Sequence, residues 1–289
     1  MFEGIFDGAT PVDVAVAPSV EEFTDRWVRH ERPVVVREGL ADWGPMRDWT
    51  LDYLKTACGA RKVKVGVSKT GEYVNYADRL GGGVDPEVAF ASVIDNVFSP
   101  APGAEKQRLH QEPLDSWGSL YDEATPIEYI IQRVILKNIW LGSAGNVTKA
   151  HYDTEDNVNV QIRGRKEFIL YPASQLSELY PRRPWEYMSN FSRVEIAAPD
   201  LARYPRFRDA TPMRAVLGPG DFLYLPIYWW HQVHTLEPSL NVNFWWQSSL
   251  RQAARRNGVR YWPRMARDGY LHRYLLMNLR SSLGQHPAH

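Results

Sequence analysis

The sequence predicts a mainly β protein, a sandwich or barrel with helical decoration, and three observations carry that prediction. From about residue 130 onward, short β-rich runs are separated by Gly and Pro signals: Val134–Trp140, Asn157–Ile162, Glu167–Tyr171, Met213–Leu217, Asp221–Leu225 and Leu240–Trp246. Before that stretch the pattern is helical and mixed. After Ser248 it turns helical and basic, through Arg251, Arg255, Arg256, Tyr270 and Leu275. The expected organisation is one domain over 1–289, with an α/β extension at 1–129, a β core at 130–250 and C-terminal helices at 251–289.

The elements follow in order. Ser19-Val20-Glu21-Glu22 is a capping box, and Val20, Phe23, Trp27 and Val28 form an apolar face at helical spacing. Arg32-Pro33 ends that helix and Pro33–Val36 starts a strand. A second helix is expected after Thr50, stopping at Gly59 in a left-handed C-terminal cap. Lys62 to Val67 alternates basic and apolar residues, as a half-exposed strand does. Asp85-Pro86-Glu87 is expected to cap a helix running towards Phe98, and Pro100–Gly103 closes it as a loop. No internal repeat or low-complexity tract interrupts this order.

Composition narrows the function classes. The 289 residues carry 34 Lys plus Arg against 34 Asp plus Glu, a formal net charge of zero that gives no support for nucleic-acid or anionic-membrane binding. Eleven Trp and 15 Tyr supply ample large side chains for a core. Cys58 is the single cysteine, which excludes an intrachain disulfide and a cysteine-based zinc site and fits a reducing compartment. Met1–Asp7 lacks a basic start followed by an apolar run, so no secretory signal is expected. The most apolar stretch, Ile127–Leu141, is broken by Glu128, Gln132, Arg133, Lys137 and Asn138 and is too polar to span a bilayer. A cytoplasmic protein is the expectation.

The chemistry-bearing constellation begins at His151 and Asp153. Two residues apart at a strand end, they point to one face. With a third ligand from a distant strand they make a triad of two histidines and one carboxylate, which leaves adjacent positions on a metal open. The bare pattern is weak: with eight His and 34 acidic residues among 289, about one chance match is expected. His110-Gln111-Glu112 is taken as that chance match. The candidate third ligand is His231, which follows the tight turn Gly218-Pro219-Gly220-Asp221, a strand, and the aromatic run Tyr228-Trp229-Trp230. His234 competes for that place, its alternative being a hydrogen-bonded structural histidine.

Taken together, these segments resemble the JmjC-type (cupin-like) Fe(II)- and 2-oxoglutarate-dependent oxygenases, most of all the asparaginyl hydroxylase that acts on hypoxia-inducible factor and its bacterial relatives. The resemblance rests on Gly145-Asn146-Val147-Thr148, His151-Tyr152-Asp153, Asn157, Gln161-Ile162, Gly164, Lys166 and Tyr171-Pro172, then on Gly218–Asp221, Tyr228–His231 and Asn243-Phe244-Trp245. It covers residues 130–250 strongly and the flanks weakly. It implies a double-stranded β-helix (jelly-roll) core, iron on His151, Asp153 and His231, and 2-oxoglutarate as co-substrate. It further implies a salt bridge from Lys166 to the distal carboxylate, Thr148 hydrogen-bonding nearby, and Asn157 and Asn243 near co-substrate and iron. The plain alternatives are a Lys166 that snorkels to water and asparagines that serve as strand-end hydrogen bonders.

One departure stands out. The resembled hydroxylase has a co-substrate-contacting tyrosine before the barrel, and the register places Arg108 or Leu109 there, with Tyr73 or Tyr76 as possible replacements. Trp229, Trp230, Trp245 and Trp246 read as core before substrate platform. The expected activity is hydroxylation of a side chain in a protein or peptide substrate, with N-methyl-lysine demethylation and a non-oxygenase metal-binding cupin as rivals. In relatives the C-terminal helices pair two subunits, so a homodimer is expected.

Overall fold

The computed structural model describes residues 6, 8–40, 42–72, 85–186, 188–246 and 261. The expected C-terminal helices, and Tyr73 and Tyr76, lie outside the described residues.

Eight core strands follow one another: β1 (Val134–Gly142), β2 (Val147–Tyr152), β3 (Asp156–Arg163), β4 (Lys166–Tyr171), β5 (Met213–Leu217), β6 (Phe222–Leu225), β7 (Trp230–Thr235) and β8 (Ser239–Trp246). They divide between two sheets in the orders β6-β3-β8-β1 and β5-β4-β7-β2, and every pairing among them is antiparallel. This alternation between facing sheets is the double-stranded β-helix the resemblance implied. The extension lengthens the first sheet: Asp13–Val16 and Val34–Arg37 join beyond β6, and Lys106–Pro113 and Gly66–Ser68 beyond β1. Thr10–Pro11 pairs in parallel with β5 on the second sheet.

Period-two alternation sorts the side chains into layers. The outward face of the larger sheet presents Val158, Val160, Phe222, Tyr224, Val242, Phe244 and Trp246 to the N-terminal helices, forming one core with Phe23, Trp27, Trp49 and Phe90. Phe23 makes edge contacts with Tyr129, Phe222 and Tyr224 at 5.2, 5.9 and 5.7 Å between centroids, the geometry aromatic rings prefer. The outward face of the smaller sheet buries Tyr152, Ile169, Tyr171 and Trp230 under the segment carrying Leu179, Val194 and Phe207. Between the sheets one end is dry, filled by Val35, Phe168, Leu170, Leu217, Leu223 and Leu225. The other end is polar.

Several local expectations hold through identifiable contacts. Ser19 Oγ accepts from the Glu22 amide at 3.1 Å, and Thr50 Oγ1 from the Tyr53 amide at 3.1 Å, so both helices begin where their caps stand. The helix after Thr50 runs Leu51–Cys58, but Gly59 is right-handed at φ −60°, not left-handed as expected. Glycine is needed there for space, since a Cβ would lie 2.1 Å from the Lys55 carbonyl oxygen. Asp85-Pro86-Glu87 does not open a helix either. Glu87–Ala89 pairs with Lys62–Lys64, burying Val63, and the helix spans Phe90–Phe98. Cross-strand pairing overrides the proline signal at that point.

Candidate metal centre

β2 and β7 pair so that His151 and His231 stand directly opposite each other. Asp153 follows β2 in the turn to β3, and its carbonyl accepts from the Tyr228 amide at 3.0 Å, which ties that turn to the loop before β7. His151 Nε2 lies 3.8 Å and His231 Nε2 3.7 Å from the Asp153 carboxylate oxygens, and the imidazole centroids are 4.1 Å apart. Ligand atoms of all three residues fall within 4.8 Å of one another. Among the described residues they are the group that could hold a metal ion.

The protonation state suits a cation. His151 Nδ1 donates to the Lys149 carbonyl at 2.8 Å and His231 Nδ1 to the Trp229 carbonyl at 3.1 Å. Each bond selects the tautomer that leaves an Nε2 lone pair turned towards Asp153. Burial lowers both imidazole pKa values to about 4, with the neighbouring His231 adding to the effect at His151. Burial also raises the Asp153 carboxyl, against the pull of His151 and a hydrogen bond from Asn157. Two neutral imidazoles and a carboxylate on one side of a space are the donor set of a facial triad, so the residues fit a divalent metal such as iron.

A bulge makes the arrangement possible. β2 and β7 run in register at His151–His231 and again at Thr148–Val233, so Lys149 and Ala150 together face Gln232. Thr148 and His151 are three residues apart and would lie on opposite faces of a regular strand. With the extra residue, Thr148 pairs with the inward Val233 while His151 points to the metal face.

The rest of the cavity is lined by amides on the inward faces of β3 and β8. Asn243 Nδ2 donates to Asn157 Oδ1 at 3.2 Å, and Asn243 Oδ1 accepts from Trp140 Nε1 at 2.9 Å and Asn138 Nδ2 at 3.1 Å. Asn241 Nδ2 donates to Asn159 Oδ1 at 3.0 Å, and Asn241 Oδ1 accepts from Lys166 Nζ. Lys166 is buried, not snorkelling, and burial pulls its pKa down to about 7. It pairs with Thr235, four residues along β7 from His231, so ammonium and triad approach one space from strand positions about 13 Å apart. The side-chain atoms Asn138 Oδ1 and Trp245 Nε1 are buried with no hydrogen-bond partner among the described residues.

Asn157 thus bonds to Asp153 and Asn243 to Asn157, while Asn138, Trp140, Asn159 and Asn241 were not singled out from the sequence. Their signal was present as amides at alternate positions, Asn157-Val158-Asn159 and Asn241-Val242-Asn243. Phe191, which stacks on His151 at 4.8 Å and 12°, comes from the segment after β4 and had no signal. His234 faces outward: its Nδ1 lies 2.9 Å from Glu167 and its Nε2 2.8 Å from Gln232, the structural role weighed for it. Trp230 and Trp246 are core, whereas Trp229 and Trp245 are half-buried. Gly164, at φ +67°, is glycine of necessity, since a Cβ there would meet the Pro238 carbonyl at 2.0 Å.

Comparison with known proteins adds an independent line. Over 242 residues the chain is 28% identical to "Lysine-specific demethylase 8" of Xenopus tropicalis, covering 84% of this chain and 54% of that protein. The Danio rerio protein of the same name is 30% identical over 238 residues, 79% of this chain and 56% of its own length. "Bifunctional peptidase and (3S)-lysyl hydroxylase JMJD7" of Homo sapiens is 26% identical over 261 residues, 79% of this chain and 81% of its own. The chain therefore spans about half the length of the first two. These relatives are named for lysine chemistry, so the likeness to an asparaginyl hydroxylase narrows to the shared domain. Residues 20–252 match the family described as "Cupin-like domain", and with this fold and triad the chain belongs to that family.

Proposed function

We propose that the protein is an Fe(II)- and 2-oxoglutarate-dependent oxygenase that hydroxylates a side chain of a protein or peptide. One observation carries the reading: a His-Asp-His triad and a buried lysine lie on the inward side of one sheet, Lys166 on β4 opposite Thr235 and His231 four residues away along β7. A buried ammonium with only a neutral amide partner is costly unless an anion joins it, and a dicarboxylate that also reaches the metal supplies one. When bound, iron with 2-oxoglutarate and dioxygen supplies the conversion of a C–H bond to C–OH, with succinate and carbon dioxide as co-products.

The chain's residues supply the setting. Lys166 neutralises and orients the distal carboxylate, with Thr148 hydrogen-bonding beside it. Asn157 bonds to Asp153 and, through Asn243, joins the metal side to the cavity wall. The dry cluster around Phe168 and Leu170 flanks the site along β4 and keeps that side of the interior apolar. The Nδ1 bonds to Lys149 and Trp229 hold both imidazoles in register for the metal.

The relatives' names favour a second reading from the same centre, demethylation of an N-methyl-lysine, with lysine itself as the side chain acted on. Titrating 2-oxoglutarate into the protein with and without Mn(II) tests the oxygenase reading; absence of metal-dependent binding would sink it. Mass spectrometry of cellular peptides after turnover then separates the two activities, by gain of one oxygen or loss of a methyl group. We further propose pairing of two subunits through the C-terminal segment. Size-exclusion with light scattering tests this, and a monomer at micromolar concentration ends it.

A further inference from the structure

His110 has no part in the reading above. Its neighbour Leu109 is buried in the core under the N-terminal helices, so Arg108 and His110 on either side of it turn the other way, and a bulge sets His110 and Gln111 together opposite Trp140. Of the two residues that the register places at the resembled family's tyrosine, Leu109 therefore faces away. The His110 ring is set edge-on against Trp140, with centroids 4.8 Å apart and planes at 88°. Trp140 is itself fixed by its bond to Asn243. His110 is itself exposed, with Arg108 on the same face of the strand. Trp140 pairs across the sheet with Asn241, the partner of Lys166, so His110 lies in the same cross-strand row as that lysine.

A buried carboxylate offers about four acceptor sites, and each one left unmet is costly. Lys166 already gives one of its three hydrogens to Asn241. Resting on the oxygenase reading, we propose that His110 is a co-substrate-binding residue whose ring N–H donates to the distal carboxylate held by Lys166. It does so from the strand where the resembled family carries its tyrosine. Arg108, on the same face, adds positive potential to that end of the cavity.

The test uses the whole protein loaded with Mn(II). 2-Oxoglutarate and 2-oxopentanoate, which lacks the distal carboxylate, are titrated calorimetrically into wild type, His110→Phe and His110→Gln. Phenylalanine keeps the edge contact with Trp140 but has no N–H, whereas glutamine restores a donor. The expected result is a loss of about 10–100-fold in 2-oxoglutarate affinity for His110→Phe, partial recovery in His110→Gln, and unchanged Mn(II) and 2-oxopentanoate binding. A His110→Phe protein that binds 2-oxoglutarate within twofold of wild type overturns the assignment. So does one that weakens both acids equally, because that marks a merely structural ring. If wild type shows no Mn(II)-dependent binding of 2-oxoglutarate, the oxygenase reading itself falls and this inference with it.

Discussion

β3 and β8 carry two unlike surfaces on one stretch of backbone. Val158, Val160, Val242 and Phe244 look outward into a continuous apolar core. Asn157, Asn159, Asn241 and Asn243, one residue along in each case, look inward and are joined by hydrogen bonds. The outward face works by volume: contacts are non-directional, and any side chain of suitable shape serves. The inward face works by direction, since each amide has named partners and a buried donor without one is expensive. Stability and chemistry are thus separated by 3.3 Å of chain rise, about one residue, without a second domain to keep them apart.

Substitutions can break that comparison, and the largest effect belongs to the outward face. Phe244→Ala is expected to cost about 3–5 kcal/mol in stability by denaturant unfolding, while the protein that remains folded binds Mn(II) as wild type does. A large loss of metal affinity would show that the two faces are not separable. Asn157→Ala is the inward counterpart. It removes the partner of Asp153 and Asn243, and Mn(II) affinity should drop about 10–100-fold with a much smaller change in unfolding midpoint.

The third expectation concerns Lys166, whose pKa burial brings to about 7. A bound dianion stabilises the charged form and raises that value. Above pH 7 the free site holds a neutral amine, so binding takes up a proton and 2-oxoglutarate affinity falls by up to tenfold per pH unit. Below that value the dependence flattens. Calorimetry in two buffers of different ionisation enthalpy should show close to one proton taken up near pH 8 and little near pH 6.

The smallest effect lies on the outer face of the smaller sheet. Burial pushes the Glu167 carboxyl up, but hydrogen bonds from His234 and from Arg214, at 2.6 Å, outweigh it and leave its pKa lowered. A carboxylate with a depressed folded value contributes stability that is present above the ordinary value of 4.5 and is lost as pH falls through the folded one. Glu167→Gln should reduce the acid sensitivity of unfolding slightly and leave Mn(II) binding unchanged. Weakened metal binding would show that polar residues outside the cavity also support the centre.

These faces were unequally legible in the sequence. The β-rich runs announced most core strands, because Val, Ile and Phe at alternate positions report burial directly. β2 and β7 were harder to see: the His151 strand mixes Thr148, Lys149 and His151 with Val147 and Ala150, and its bulge breaks the period. The triad was legible through motif spacing, whereas Phe191 reaches His151 from 40 residues away on an irregular segment, a long-range contact no local pattern encodes. His110 was visible only as a chance match to the metal pattern. Its His-x-acid spacing suggested a rival metal pair, and the structure instead sets it edge-on against Trp140 on the cavity wall.

The extra residue in β2 has a practical consequence for anyone moving this site to another scaffold. Thr148 and His151 face the same side only because Lys149 and Ala150 share the place opposite Gln232. Copied onto a regular hairpin, the same letters would deliver the threonine to one side and the histidine to the other. Deleting either residue of the pair from the native chain would have the same result. The transferable unit is therefore the bulged strand together with its partner, and its ligands cannot be grafted one by one.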